Sequence, residues 1–193
     1  PIAREGYARR TRYRQTPERL NQYLDTWDRS FRNWGDDAVP RSDAFFDLRG
    51  EAETDQIAPL GPRFRGPVDV LIDSQNSSAT FQFASCIKNN RLGRLIGAPT
   101  GGNQRGINGG AFFFLRLPAS GLEADLPLIA RFPLSPKPDA GITPDVAIEL
   151  TREDIAAGRD AVLLTALKSA MQELTGRMGP RSEERRVGKE CLR

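Results

Sequence analysis

The chain of 193 residues contains no histidine, only two cysteines and two methionines, and no long hydrophobic run. Two cysteines make no disulfide framework, and no group of residues has metal-ligand spacing, so neither a stapled fold nor a metal centre is expected, and no cofactor is implied. Nothing resembles a signal peptide or a segment long and apolar enough to span a membrane. The G-x-S-x-G pattern of the α/β-hydrolase elbow is absent, as is the G-x-x-x-x-G-K-[ST] order of a phosphate-binding loop.

The composition, 38% hydrophobic and 27% charged, suits an ordinary globular domain with a real core. The basic pI of about 9.2 says little about a nucleic-acid partner. The last thirteen residues, RSEERRVGKECLR, carry five basic residues against three acidic, so the rest of the chain keeps only +1 of the formal +3. Those residues have no hydrophobic pattern and read as a disordered tail, native or a sequence artefact. At the other end, PIAREGYARRTRYRQ interleaves arginine with tyrosine. It reads as a solvated segment rather than a nucleic-acid patch.

The most informative stretch is Val68–Asn90, VDVLIDSQNSSATFQFASCIKNN. Val68, Val70, Leu71 and Ile72 form the short apolar run of a buried parallel strand. Asp73–Ser77 are turn formers, and from Ala79 the apolar spacing becomes helical through Phe83, Ala84 and Ile87. A serine at such a junction stands at a strand's carboxyl end, where α/β sheets place their chemistry, with helical N–H groups pointing towards it. From local pattern alone, Ser77 or Ser78 reads first as the helix N-cap, the commonest role of a serine there, and second as a nucleophile. Cys86, inside the helix, reads as a small buried hydrophobe. Lys88 reads as part of its solvated face.

Further elements follow from local pattern. Thr16-Pro17-Glu18 predicts a helix that ends at Gly35, with Leu20, Leu24, Trp27, Phe31 and Trp34 as its core stripe. Residues 36–67 are loop-like, with a short strand over 43–48. A strand over 94–98 leads into a glycine-rich loop, Pro99–Gly110, in which Gly102, Asn103 and Gln104 are candidate substrate-binding residues; a plain connection is the alternative. Residues 111–117 and 122–132 predict a hairpin. Asp145 precedes a strand and reads as structural, with orientation of a catalytic group as the alternative. Thr151 and Asp154 have capping-box spacing, and Asp160 caps a last helix bearing Leu163, Leu164, Leu167, Ala170, Met171 and Leu174 on one face, stopped by Gly176.

The run LIDSQNSSATFQFASCIKNNRLGRLIG resembles the nucleophile segment of the C-terminal processing, or tail-specific, serine peptidases, which read strand, a turn like E-N-T-A-S-A-A-E, helix, and a strand ending in glycine. The resemblance continues through GAPTGGNQRG, through AGITPDVAIEL, similar to the family's G-I-x-P-D-V, and through TREDIAAGRDAVLLTAL, similar to T-x-E-D-x-x-x-G-x-D-x-x-L-x-x-A-L. It implies that Ser78 is the nucleophile and that Ala79 supplies an oxyanion N–H. It also implies an α/β fold with a mixed sheet of β-β-α units, a crotonase/ClpP-like peptidase core, incomplete at the N-terminus. Residues 1–65 would be the helix and long loop of that truncated domain, 66–176 its C-terminal part and 177–193 a disordered tail.

Two departures bear on mechanism. The dyad lysine of some family members, in a G-K-G loop, falls on Asn103. Relatives of the tricorn-core type use a histidine, and this chain has none. The D-L-R-x-N-x-G-G strand of the second oxyanion donor is also missing; FDLRGEAETD at 46–55 lacks its asparagine and glycines. The expectation is a serine endopeptidase whose base lies in upstream sequence, with this piece inactive alone. The alternative is a retinoid-binding-like domain whose AFFFLRL and LPLIARF strands bind an apolar ligand. Protein or peptide substrates, no nucleic acid, and a periplasmic or secreted location are implied by the resemblance only.

Overall fold

The computed structural model describes residues 9–41, 45–50, 61, 64 and 66–177. The expectations for residues 1–8 and for the tail from 178 lie outside the described residues. In chain order the elements are β1 (Arg9–Tyr13), β2 (Leu24–Asp25), β3 (Ala38–Pro40), β4 (Phe46–Leu48), β5 (Asp69–Ile72), α1 (Ser78–Asn89), β6 (Arg94–Gly97), β7 (Ile107–Asn108), β8 (Phe112–Arg116), β9 (Glu123–Pro127), β10 (Ile129–Pro133), β11 (Val146–Ala147), α2 (Arg152–Ala156) and α3 (Ala161–Arg177). The fold is mixed α/β, with pairing distributed over three sheets. The orders are β3-β4-β1-β10-β7, antiparallel; β11-β6-β5, parallel; and β2-β8-β9, antiparallel.

The parallel sheet and α1 enclose the first core. Ile72, Phe81, Ala84, Ile87, Leu95 and Ile142 bury there, with Val70, Leu92 and Ile107 packed against them. Phe81, Leu95 and Ile96 are fully buried. Arg94 grips both oxygens of Asp69 at 2.9 Å, so the first residues of β6 and β5 are clamped side by side. Such a bidentate pair adds geometric definition as well as charge.

The second core holds Leu24, Ala111, Phe113 and Leu128, with Leu20, Phe31, Trp34, Leu115 and Ile129 around them. Here the sequence expectation is corrected. Residues 16–35 do not form one helix. They form a 3₁₀ turn over Glu18–Tyr23, strand β2, and a second 3₁₀ turn over Arg29–Arg32 capped by the Asp28 carboxylate. Leu20, Leu24, Phe31 and Trp34 still converge on one cluster, whereas Trp27 is 62% exposed and lies against Phe31, Phe112 and Phe114. Gly35, at φ +74, closes the segment as a turn residue.

Other expectations are refined. The arginine-rich segment is not all solvated: Arg9–Tyr13 is an inner strand of the five-stranded sheet, with Tyr13 buried against Trp34 and Arg12 paired with Asp47 at 2.5 Å. The short strand anticipated near Phe46 is β4, and it pairs with β3 as a hairpin in the long segment before β5. The strand expected over 122–132 breaks at Leu128. β9 pairs with β8, and β10 moves to the other sheet. Leu128 couples the two sheets, its N–H donating to the Ala111 carbonyl at 2.9 Å and its carbonyl accepting from the Arg14 N–H at 2.7 Å. Thr151 and Asp154 form the expected capping box of α2. Asp160 caps α3 through the Leu163 N–H at 2.9 Å, but the helix runs through Gly176 to Arg177. Its small residues face the sheet, Ala166 being buried, while Leu163, Leu164, Leu167, Met171 and Leu174 point outward.

Candidate functional site

The junction between β5 and α1 is a tightly held turn. The Asp73 carboxylate accepts the Gln75 N–H at 2.8 Å, the Asn76 side-chain oxygen accepts the Asp73 N–H at 2.7 Å, and the Asn76 N–H donates to the Asp73 carbonyl at 3.1 Å. Asn and Asp in this arrangement replace backbone partners with their own side chains. Helix α1 then starts at Ser78. Its first turn is closed by the Ser77 carbonyl, which accepts from the Phe81 N–H at 3.3 Å and the Thr80 hydroxyl at 2.8 Å.

Ser78 stands apart in this turn. Its φ is +51°, one of only two positive values at non-glycine residues among the described residues. The left-handed region costs an L-residue about 1–2 kcal/mol. Ser78 is exposed, and its hydroxyl makes no hydrogen bond with any described residue. Ser77, the residue before the helix, makes no side-chain capping bond either. Neither serine is therefore a capping residue by contact. The Ala79 N–H is a first-turn donor without an intrahelical acceptor, and it is exposed beside Ser78. A strained, exposed hydroxyl at a strand–turn–helix corner, followed at once by a free N–H, has the layout of a nucleophile elbow built from Asn-Ser-Ser-Ala-Thr.

The glycine-rich loop lies directly against this corner. A Cβ at Gly97 would meet the Ile72 carbonyl, one at Gly101 the Ser74 carbonyl, and one at Gly102 the Phe81 ring. The Gly101 N–H donates to the Asn76 carbonyl at 3.2 Å, fixing the loop to the turn. Beyond it the loop is tied to the chain before β11. The Asn103 amide donates to Asp139 at 2.6 Å, its oxygen accepts the Arg105 N–H at 2.8 Å, and the Gln104 amide donates to the Gly141 carbonyl at 2.9 Å. Arg105 pairs with the other Asp139 oxygen at 2.9 Å. The Asn103 amide and Arg105 together hold the Asp139 carboxyl below its usual range. Gly102 is thus brought close to the Ser78 corner, while the side chains of Asn103 and Gln104 are engaged within the loop. Asn76 and the buried Thr100, whose hydroxyl accepts the Ile142 N–H at 2.8 Å, organise the corner. The sequence reading missed both, since a turn asparagine and a loop threonine carry no pattern that sets them apart.

Lys88 and Asp145 form a separate structural pair. Lys88 donates to the Thr143 carbonyl at 2.6 Å and pairs with Asp145 at 3.0 Å, so it is more than a solvated helix side chain. It stands ten residues along α1 from Ser78, roughly 15 Å of helix, beyond reach of the serine proton. Asp145 also accepts the Leu95 N–H at 2.8 Å, and its own N–H donates to the Leu95 carbonyl at 2.7 Å. The Leu95 N–H first, and then Lys88, hold its carboxyl below the ordinary value. The structural reading of Asp145 holds.

Beside the turn is a cleft of about 950 Å³, walled by Asp73, Asn76, Ala98, Leu150 and Val162. It lies outside the carboxyl ends of β5, β6 and β11, the usual ligand-binding edge of parallel strands. Among the described residues no group of histidine, cysteine, aspartate and glutamate could hold a metal ion, and no helix is long and apolar enough to cross a membrane. The strands suggested for an apolar ligand bury Phe113 and Leu128 in the second core, whereas Leu117, Leu126 and Phe132 are exposed.

Comparison with known proteins adds family information to this geometry. The sequence model of peptidase family S41 matches residues 4–148. No curated protein matches the chain at significant similarity. Among solved structures, a crystal structure of a candidate peptidase from Parabacteroides merdae is 25% identical over 66% of this chain, with a TM-score of 0.40. The chain spans 38% of the length of that protein.

Proposed function

Since the chain belongs to peptidase family S41, we propose that it carries the nucleophile of a serine endopeptidase acting on protein or peptide substrates near their carboxyl termini. The observation that carries this reading is Ser78 itself, exposed, unbonded and at φ +51° where β5 turns into α1. In the proposed reaction the Ser78 hydroxyl oxygen attacks the scissile carbonyl carbon as a base takes its proton. The tetrahedral oxyanion accepts a hydrogen bond from the Ala79 N–H. Collapse expels the amine and leaves an acyl group on Ser78, which water then removes.

The base comes from outside these 193 residues, in a longer parent protein. Three observations support this: the chain has no histidine, Asn103 stands where a dyad lysine would be, and Lys88 is engaged roughly 15 Å away along its helix. The piece alone is then inactive or nearly so. Substrate contact beside the nucleophile falls to the loop at Gly102, Asn103 and Gln104. Because both amide side chains are engaged with residues 105 and 139–141, and the Gln104 N–H and Asn103 carbonyl with Ala140 and Gly106, the backbone at Gly102 makes that contact.

The test is reaction of the parent protein with a fluorophosphonate, followed by mass-spectrometric location of the adduct. An adduct on Ser78 that is lost in Ser78→Ala supports the reading. Absence of labelling, together with saturable binding of an apolar ligand, replaces it with a binding module.

A further inference from the structure

Several described arginines have recognisable partners, and others, such as Arg19, Arg29 and Arg116, are exposed to solvent. Arg12 and Arg41 share Asp47, Arg94 holds Asp69, Arg105 holds Asp139 and Arg159 holds Asp154. Arg32 donates to two backbone carbonyls, and Arg14 stacks over Phe45. Arg131 differs. Its Nε is buried without a hydrogen-bond partner, and its guanidinium makes no hydrogen bond or ion pair with any described residue. Burying part of a permanent cation without an acceptor is costly, and arginine cannot escape by losing its proton.

Strand register locates this side chain. Arg131 lies opposite Ile107 on β7 and opposite Thr11 on β1. Directly opposed residues of antiparallel strands project from the same face. Ile107 packs on the cluster containing Phe81, one turn into the helix that Ser78 begins. Arg131 therefore projects from the face it shares with Ile107 and Ile129, which pack on the first and second cores respectively, not from the opposite face that carries Arg10, Arg12 and Phe132. At its far end the guanidinium meets Gly110, an exposed residue where an added Cβ would stand 3.6 and 3.8 Å from Nη2 and Nη1. With no side chain at 110, the two terminal nitrogens stay accessible while Nε remains enclosed.

We infer that Arg131 is an anion-holding residue that takes a carboxylate of the peptide substrate across Gly110. The class of ligand rests on the peptidase reading above; a planar guanidinium fork matches a carboxylate with two parallel hydrogen bonds. The carboxylate comes either from a free chain end or from an acidic side chain.

The test titrates the 193-residue chain with N-acetyl pentaalanine as the free acid, as its carboxamide, and as the carboxamide with one alanine replaced by glutamate. The probe is the Arg131 Nε–Hε NMR resonance, assigned by its loss in Arg131→Gln. A carboxylate-bearing peptide is expected to bind about 10- to 100-fold tighter than the plain carboxamide and to move that resonance. Arg131→Gln should abolish the preference, and the two carboxylate peptides distinguish chain end from side chain. Should Arg131→Gln fail to fold, Arg131→Lys keeps the charge but loses the fork, and a diminished preference is expected. Equal binding of acid and carboxamide, or a preference unchanged in these variants, overturns the inference. A carboxylate preference without phosphonate labelling of Ser78 in the parent protein would instead sink the peptidase reading and leave the anion site.

Discussion

Gly101 rests so closely on Ser74 that any side chain at 101 would collide with the Ser74 carbonyl oxygen. The contact is backbone to backbone, with no flexible atom to give way, and it sets the loop after β6 against the corner that carries Ser78. Gly101→Ala is therefore expected to cost roughly 1–3 kcal/mol of stability, in line with overpacking at a close contact. It should also slow phosphonate labelling of Ser78 in the parent protein. Denaturant midpoints and labelling rates check the two effects; a variant unchanged in both would mean that the loop does not shape the corner.

The left-handed backbone at Ser78 makes a prediction of opposite sign. Glycine adopts φ near +50° without steric penalty, whereas alanine pays it as serine does. Ser78→Gly is expected to be more stable than Ser78→Ala by about 1 kcal/mol, although neither variant can be labelled. Equal stability of the two would show that the corner holds no strain.

Acid should loosen the link between Asp145 and Leu95. The Leu95 N–H, and then Lys88, hold the folded Asp145 carboxyl below its ordinary value of 3.8. A depressed carboxyl contributes stability that is present above its unfolded value and lost as pH falls through the lower folded one. Below about pH 4, Asp145→Asn should therefore lose less stability than the wild type. Thermal melts of the two proteins from pH 6 to pH 2.5 make the comparison, and parallel curves would exclude the link.

Lys88→Met separates structure from chemistry at the same pair. Both members are about one-third exposed, so the loss should be no more than about 1 kcal/mol. The rate of Ser78 labelling should be unchanged once folding is matched. A large fall in that rate would make Lys88 part of the machinery, against its engagement with Thr143 and Asp145.

What could be read from the sequence depended on whether local pattern and tertiary contact agreed. They agree from Val68 to Asn90, where a β-branched run and a helical period lie on either side of turn-forming residues, and the structure has strand, turn and helix there. They disagree between Leu20 and Trp34. Apolar residues spaced by three and four look like one helix, yet two 3₁₀ turns and a two-residue strand bring most of them to the same cluster. Arg9–Tyr13 has a strand's alternation, but its outward face is arginine, which reads as solvated when the partner Asp47 lies far along the chain. Pro127 signals the end of β9, yet nothing local tells that the next residue carries the chain into another sheet. At the site, the junction offers Ser77 or Ser78 as cap or nucleophile and only the family resemblance singles out Ser78, whereas the support from Asn76 and Thr100 rests on contacts distant in sequence.

The most direct test of the central claim is the position of a fluorophosphonate adduct on the parent protein, read by tandem mass spectrometry. The account predicts a single modified serine, Ser78, with labelling and peptide cleavage both lost in Ser78→Ala. An adduct on Ser77 or on any other serine, or cleavage that survives Ser78→Ala, would contradict it.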